Sequence, residues 1–398
     1  MALLSVAEAL ARVTHDLAPL ETERVALDKA DGRVLGEDVA ALLTQPPFDA
    51  SAMDGYAVRA IDVAAVPVTL KLAGQSLAGA GFRGRVGRGE AVRIFTGAPV
   101  PEGADLIVIQ ENAEEGPGSV TLRDASGGPH IRPRGQDFAE GEVLLTAGTR
   151  LGPRELMLAA AMNHVELPVR RKPKVAILAT GNEVVPPGSE LAADQIVSSV
   201  PYGIAALVAG HGGEAMPLGI ARDDAESILA LARTGSGADV LLTIGGASVG
   251  EYDLVVSALK SEGLELDFWK IAMRPGKPLV FGRLGKQRVL GLPGNPVSAL
   301  VCAQIFLVPM LAKLLGAAEE RRPFPEAVLG EAIPANGPRE HYVRARSEWR
   351  EDGVRVVTPL PSQDSSLVAA LARADCLIVR APDGAALPQG ASVRIVPL

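Results

Sequence analysis

Short alternating runs and longer unbroken apolar runs divide this chain. Val66–Leu72, Glu90–Phe95 and Leu106–Gln110 alternate apolar with polar positions, and glycine and proline clusters separate them. That rhythm predicts a small β-rich region from Phe48 to about Leu145. Arg150 to Ala161 then reads as a helix. After Arg170-Arg171-Lys172-Pro173 the runs become continuous: Lys174–Thr180 predicts a buried strand, Ile196–Gly210 a helix, Met216–Ile220 a strand. Asp224–Arg233 predicts a helix capped by Asp223 or Asp224, Val240–Ile244 a strand, and Asp253–Glu262 a helix. Strands alternating with helices at this spacing imply a parallel sheet, whose ligands bind beyond the carboxyl ends of its strands. Past Arg321-Arg322-Pro323 the runs shorten again (Tyr342–Arg346, Val354–Thr358, Cys376–Arg380, Ser392–Val396), predicting a small all-β domain.

Composition narrows this picture. With 398 residues, two to four domains are expected. A net charge of -8 disfavours a nucleic-acid partner. Cys302 and Cys376 sit in apolar runs, predicting reduced, buried thiols in a cytoplasmic protein. Ser5 and Glu8 form a capping-box pattern at the start of an amphipathic helix, and no signal peptide is expected. The greasy stretch Val297–Leu315 contains Gln304, Pro309 and Lys313, so a buried core helix is expected there and no membrane span.

Three loops carry candidate chemistry. Gly245-Gly246-Ala247-Ser248-Val249-Gly250 follows the Val240–Ile244 run, so backbone N–H groups and a helix start can approach an anion; Asp253 adds a carboxylate suited to Mg²⁺. A tight strand–helix turn capped by Asp253 explains the same stretch equally well. Arg274-Pro275-Gly276-Lys277-Pro278 sets two cations around a Pro-Gly turn, a grip for a tetrahedral oxyanion. In Pro293-Gly294-Asn295-Pro296, Asn295 reads as an N-cap and Pro296 as the first helical residue. Asp54, Thr96, Asp137 and Glu183 fall at turns, where such residues usually serve the turn itself; Glu183 has the strongest position, just past a buried strand. The histidines show no metal-ligand spacing, and neither GxGxxG nor a Walker sequence is present.

Taken together, Phe48–Val58, Thr96–Pro101, Thr180–Glu183, Gly245–Gly250, Arg274–Pro278 and Pro293–Pro296 resemble the molybdopterin molybdenumtransferase family, which includes the C-terminal enzyme region of gephyrin. The resemblance implies a multidomain α/β and β chain. Residues 1–45 and 147–171 would form an elongated dimerisation region, 46–146 an inserted β-rich domain, 172–320 an α/β molybdopterin-binding domain, and 321–398 a C-terminal β-barrel-like domain. It implies a homodimer that inserts molybdate into adenylylated molybdopterin with Mg²⁺, releasing AMP. Transient contact with a molybdopterin adenylyltransferase and with apo-molybdoenzymes is implied as well.

By the family pattern Asp223 and Asp253 would hold the metal. Asp54, Thr96, Asp137, Glu183 and Lys270 would be catalytic. Gly245, Gly246, Ser248 and Gly250 would cradle the phosphate, and Arg274, Lys277, Pro278, Pro293, Pro296, Arg344 and Ser365 would line the substrate and molybdate site. The chain departs from the pattern at Arg274, where the family usually has lysine, and at Val200, where it usually has asparagine. Two other readings use the same residues: an adenylylating enzyme of the related single-domain type, and a binding or scaffold protein with weakened catalysis.

Overall fold

The computed structural model describes residues 3–246, 254–318 and 326–398. At its centre is a six-stranded mixed sheet in the order Glu214–Ala221, Lys174–Thr180, Val240–Ile244, Gln287–Leu292, Val280–Leu284, Glu265–Phe268. The first four strands are parallel and the last two antiparallel.

The unbroken apolar runs are explained by burial on both faces. Val175 and Ile177 join Val240, Leu242 and Leu290 in one core, while Ala176, Leu178, Leu241 and Val289 join the other. Helices Val200–Gly210 and Pro296–Cys302 cover the first face; Ala225–Thr234 and Leu254–Ser261 cover the second. Each Leu, Ile or Val so buried contributes about 1.5–3 kcal/mol. The N-terminal helix Val6–Thr14 carries the expected Ser5–Glu8 capping box, and its Val6, Ala9 and Val13 also pack into the first core.

Pro296–Leu314 has the length and apolarity of a membrane span, yet two thirds of it is buried inside the fold. A π-helical segment, Ala303–Leu307, precedes Pro309 and absorbs the missing N–H of that proline. Cys302 and Cys376 are free and buried, as expected.

One expected helix is corrected. Ile196–Val197 is a short strand paired with Val184–Val185, and the helix starts only at Val200, with Pro201 in its first turn. Proline lacks the N–H that an interior position needs, so the helix cannot begin further upstream. The Ala225–Thr234 helix is capped by Asp224, whose carboxylate accepts from Ser227 N at 2.7 Å.

Three further β assemblies accompany the central sheet. Gly55–Val58, Val68–Ser76, Glu90–Ile94, Leu106–Ile109, Ala113–Gly116 and Ser119–Leu122 form a six-stranded sheet with separate cores on its faces. Strands Thr22–Ala26 and Glu166–Arg170 pair antiparallel and enclose another core around Leu35, Phe138 and Leu167. At the C-terminus, Glu326–Leu329, Glu340–Trp349, Arg355–Pro359, Cys376–Arg380 and Ser392–Pro397 close into a small barrel, because Glu340–Trp349 pairs with both Arg355–Pro359 and Cys376–Arg380. The short strand Met273–Arg274 adds to this barrel in parallel with Glu340 and His341. That pairing joins the barrel to a loop of the α/β sheet.

Candidate anion-binding site

The parallel strands end side by side at Ala221, Thr180, Ile244 and Leu292, and the loops after them touch. Thr180 Oγ1 donates to Ile244 O at 3.4 Å, and Gly245 N donates to Leu292 O at 3.2 Å. Gly245 and Gly246 have φ of 89° and 69°. A Cβ on Gly245 would stand 2.8 Å from Thr180 O, and one on Gly246 2.5 Å from Val255 Cγ2. Glycine is therefore required twice over, by dihedral and by space. Ser248, Gly250 and Asp253 lie outside the described residues.

On the other flank, Asn182 N donates to Asp223 Oδ2 and Asp223 N donates to Asn182 Oδ1, both at 3.2 Å. The loop carrying Glu183 is thereby tied to the loop carrying Asp223. The Glu183 carboxylate leans toward Gly181, where a Cβ would meet its Oε2 at 2.6 Å. Beside this pair opens a mostly apolar cavity of about 570 Å³ lined by Asn182, Pro186, Ser198, Tyr202, Ile220 and Arg222 among others. Among the described residues, no group of three His, Cys, Asp or Glu side chains is placed to hold a metal. A Mg²⁺ shared with a substrate phosphate needs only one or two carboxylates; Asp223 and Glu183 stand on the two loops that these bonds tie together.

The third loop reaches the barrel. Asn295 precedes the Pro296–Cys302 helix, as expected, but its side chain makes no cap. Its Nδ2 instead donates to Ser365 Oγ at 2.9 Å, while Val297 N donates to Ser365 O at 3.1 Å. Pro293 is buried and Pro296 occupies the first helical turn.

Next to Ser365, Arg344 is 1% exposed. Its Nη2 donates to Ser362 O at 3.2 Å and to Asp364 O at 2.9 Å, and its backbone N to Gln363 Oε1 at 2.9 Å. Its Nη1 is buried without a hydrogen-bond partner among the described residues. Burial lowers the guanidinium's pKa, but arginine starts so high that it stays charged. A buried cationic N–H without an acceptor is costly, and an ordered water or an anion would satisfy it; Arg33, Arg170, Arg288 and Arg355 each have one such nitrogen too.

The Arg274–Pro278 loop completes the arrangement. Gly276 has φ of 102°, and a Cβ there would lie 2.3 Å from Cys302 Sγ. Lys277 and Arg339 line an open cavity of about 550 Å³ together with Leu3, Ala272 and Pro338. Arg274 stands in register with His341, and His341 with Arg380. Burial, and then the nearby Arg274, Arg339, Arg380 and Arg344, push the His341 pKa down to about 4. The imidazole is therefore neutral near pH 7. Below pH 6.5 the unfolded chain takes up a proton that the fold refuses until about pH 4. Stability present above pH 6.5 is lost across that window. We expect the thermal midpoint to fall more steeply between pH 7 and pH 5 in the wild type than in His341→Gln, as followed by circular dichroism. Parallel curves would remove His341 from the acid response.

Asp54, Thr96 and Asp137 stand apart from these loops in their contacts. Asp54 Oδ1 accepts from Thr96 N at 2.7 Å and Thr96 Oγ1 at 2.8 Å. These two bonds, the backbone one first, hold the Asp54 carboxyl below its usual pKa. Asp137 N donates to Gln45 O at 3.0 Å. Lys270 Nζ lies 3.7 Å from the centre of the Trp269 ring. Sequence reasoning missed His341, Arg339, Arg380 and Asn182. Only the closeness of Arg339 and His341 to Arg344 offered a signal, since strand pairing brings in the rest.

A mainly parallel sheet with glycine turns at its carboxyl ends, tied by one strand to an arginine-rich barrel, defines an α/β protein built to bind anionic ligands at those ends. The comparisons agree with this class. Residues 4–163 match the MoeA N-terminal region (domain I and II), 176–313 the probable molybdopterin binding domain, and 326–398 the MoeA C-terminal region (domain IV). The chain is 35% identical over 401 residues to the molybdopterin molybdenumtransferase of Haemophilus influenzae, covering 99% of this chain and 98% of that one. It is 34% identical to the Bacillus subtilis molybdopterin molybdenumtransferase, covering 99% and 94%. The crystal structure of a molybdopterin biosynthesis MoeA protein from Pyrococcus horikoshii superposes with a TM-score of 0.86 at 32% identity, covering 100% of this chain and 99% of that one. The chain belongs to the molybdopterin molybdenumtransferase family and is a transferase of molybdenum cofactor biosynthesis.

Proposed function

We propose that the chain inserts molybdate into adenylylated molybdopterin with release of AMP. The observation that carries this reading is the buried Arg344, with its unsatisfied Nη1, on a barrel edge that also presents Arg339 and Arg274 beside Lys277. Such an excess of fixed cations suits a tetrahedral oxyanion. Molybdate and a pyrophosphate-linked dithiolene repel each other, and these groups offset that repulsion. Gly245 and Gly246, with Pro293–Pro296 alongside, form a rigid rim at the strand ends that substrate phosphates can approach closely, since no Cβ stands there. Asp223 and Glu183 would hold Mg²⁺, which supplies charge neutralisation when bound. A homodimer would let the β-rich region of a second copy bring Asp54, Thr96 and Asp137 to these loops. Transient contacts with the adenylyltransferase and the apo-enzymes belong to the same reading.

The test is an assay with adenylylated molybdopterin, Mg²⁺ and molybdate, following AMP release and reconstitution of a molybdoenzyme. AMP release that depends on molybdate is expected. Rapid adenylylation of molybdopterin from Mg-ATP without molybdate would assign the chain to the adenylylating type instead. Lys277→Ala is expected to lower molybdate-dependent AMP release by at least about tenfold, the scale of one lost transition-state charge contact. An unchanged rate would remove Lys277 from the site.

A further inference from the structure

Arg93 lies at one end of the β-rich sheet, on the face that carries Asp54. Glu90–Ile94 pairs with Gly55–Val58 so that Arg93 stands opposite Tyr56 and Ile94 opposite Gly55. Side chains two residues apart share a face, so Asp54, Tyr56, Arg93 and Phe95 stand on the same side. Arg93 Cζ lies 4.9 Å from the centre of the Tyr56 ring and 4.9 Å from that of Phe95. Tyr56 is buried and its hydroxyl donates to Glu115 Oε2 at 2.8 Å, so this seat is fixed. Two rings orient a guanidinium as well as attract it. From there Nη1 donates to Gly55 O at 3.1 Å and Nη2 to Gln110 Oε1 at 2.6 Å. Gln110 N in turn donates to Asp54 O at 3.0 Å. The contacts close a ring: Arg93 to Gly55, Gly55 to Asp54 along the chain, Asp54 to Gln110, and Gln110 back to Arg93.

Gly55 adjoins Asp54, and a Cβ on it would collide with Val108 O, so the turn lies flat against the neighbouring strand. Asp54 Oδ1 is taken by Thr96 N and Thr96 Oγ1. Asp54 Oδ2 accepts no hydrogen bond among the described residues. One carboxylate oxygen is thus tied down and the other left open. A planar guanidinium suits the clamp, because its fork reaches the turn with one nitrogen and the next strand with the other. We propose that Arg93 is a positioning residue of the reaction: it clamps the Asp54 turn to the strand end carrying Gln110, so that Asp54 presents Oδ2 in one fixed direction. The proposal rests on the reading that Asp54 joins the anion-binding loops of a second copy. It goes further by making the aim of that carboxylate depend on a residue that acts only through it. Misplacement by about 1 Å can cost about a hundredfold in rate, so loosening the clamp is read in kcat. The grip on molybdate is left alone, because Arg274, Lys277 and Arg344 belong to other segments.

The experiment is a double-mutant cycle on the full-length protein, read as steady-state AMP release from adenylylated molybdopterin with Mg²⁺ and molybdate. Arg93→Met keeps a long side chain between the rings and removes both donors. We expect kcat to fall about tenfold or more, with molybdate KM within about twofold of wild type. In an Asp54→Asn background the same change should lower kcat by less than about twofold, since no carboxylate is left to aim. Arg93→Lys keeps the charge but serves one acceptor, and should fall between Arg93→Met and wild type. Amide hydrogen exchange at Thr96, whose N–H is held by Asp54, gives a readout free of turnover; in Arg93→Met it should quicken at least about tenfold. An equal loss of kcat in both backgrounds makes Arg93 structural and overturns the proposal, as does a wild-type kcat in Arg93→Met. Unaltered Thr96 exchange overturns the clamp. No molybdate-dependent AMP release by the wild type, with Thr96 exchange still quickened in Arg93→Met, overturns the reading of the reaction and leaves the clamp on Asp54 standing. If Arg93→Met fails to fold, Arg93→Lys carries both the cycle and the exchange measurement.

Discussion

Arg344→Lys is expected to lower molybdate-dependent AMP release by at least about a hundredfold, although charge is formally conserved. The guanidinium divides its work. Nη2 serves the carbonyls of Ser362 and Asp364, which fixes the segment carrying Ser365, and Nη1 has no partner among the described residues; in the proposed reading it is the nitrogen that meets the anion. A lysine ammonium can serve those carbonyls or the anion from its one nitrogen, and it cannot present the planar fork that does both. At 1% exposure it also loses its proton more readily than arginine does. Lysine is the informative substitution. Alanine would remove the donor to the Ser362 and Asp364 carbonyls together with the charge, and would confuse stability with binding. The measurement is steady-state AMP release against molybdate concentration, with the thermal midpoint as a control for folding. A variant with the wild-type molybdate KM and rate would show that the buried guanidinium is structural only.

The sheet was legible because both its faces are covered. Unbroken apolar runs at Lys174–Thr180 and Val240–Ile244 return as strands with those same bounds. The capping box at Ser5 was equally readable, since all its partners lie within four residues. What stayed hidden was set by distant partners. Ile196–Val197 looks helical by composition and becomes a strand only because Val184–Val185 lies beside it. Asn295 has the sequence position of a cap, yet Ser365, 70 residues away, takes its amide.

The site divides along the same line. Arg274 and Lys277 were nominated by charge around a Pro-Gly turn, Arg344 and Ser365 by family likeness alone. His341 was passed over as a scattered histidine, because its neighbours Arg274 and Arg380 arrive on other strands. No local pattern encodes a parallel pairing between a two-residue strand of the α/β region and a barrel strand more than sixty residues later. The N-terminal helix makes the same point, since its amphipathic face was evident but its burial against the α/β core was not.

That joint between loop and barrel is also where a single methyl group should do most damage. In Gly276→Ala the new Cβ would stand 2.3 Å from Cys302 Sγ and 3.7 Å from Met273 Sδ, on a backbone with φ of 102°. Cys302 is fully buried at the end of the Pro296–Cys302 helix, so the loop must move instead. Strain of this kind costs about 1–3 kcal/mol, which the fold can bear. The site bears it less well, because Arg274 and Lys277 flank Gly276 and a misplacement of about 1 Å can cost a hundredfold in rate. We therefore expect a folded protein, with a thermal midpoint lowered by only a few degrees, and AMP release reduced about a hundredfold with a raised molybdate KM. Adding Cys302→Ala removes the contact but keeps the dihedral, so the double variant should recover part of the loss. A coupling of about 0.5–3 kcal/mol between the two changes is the expected signature. Additive effects, or Gly276→Ala with the wild-type molybdate KM, would mean that the loop's position does not set the grip on the oxyanion.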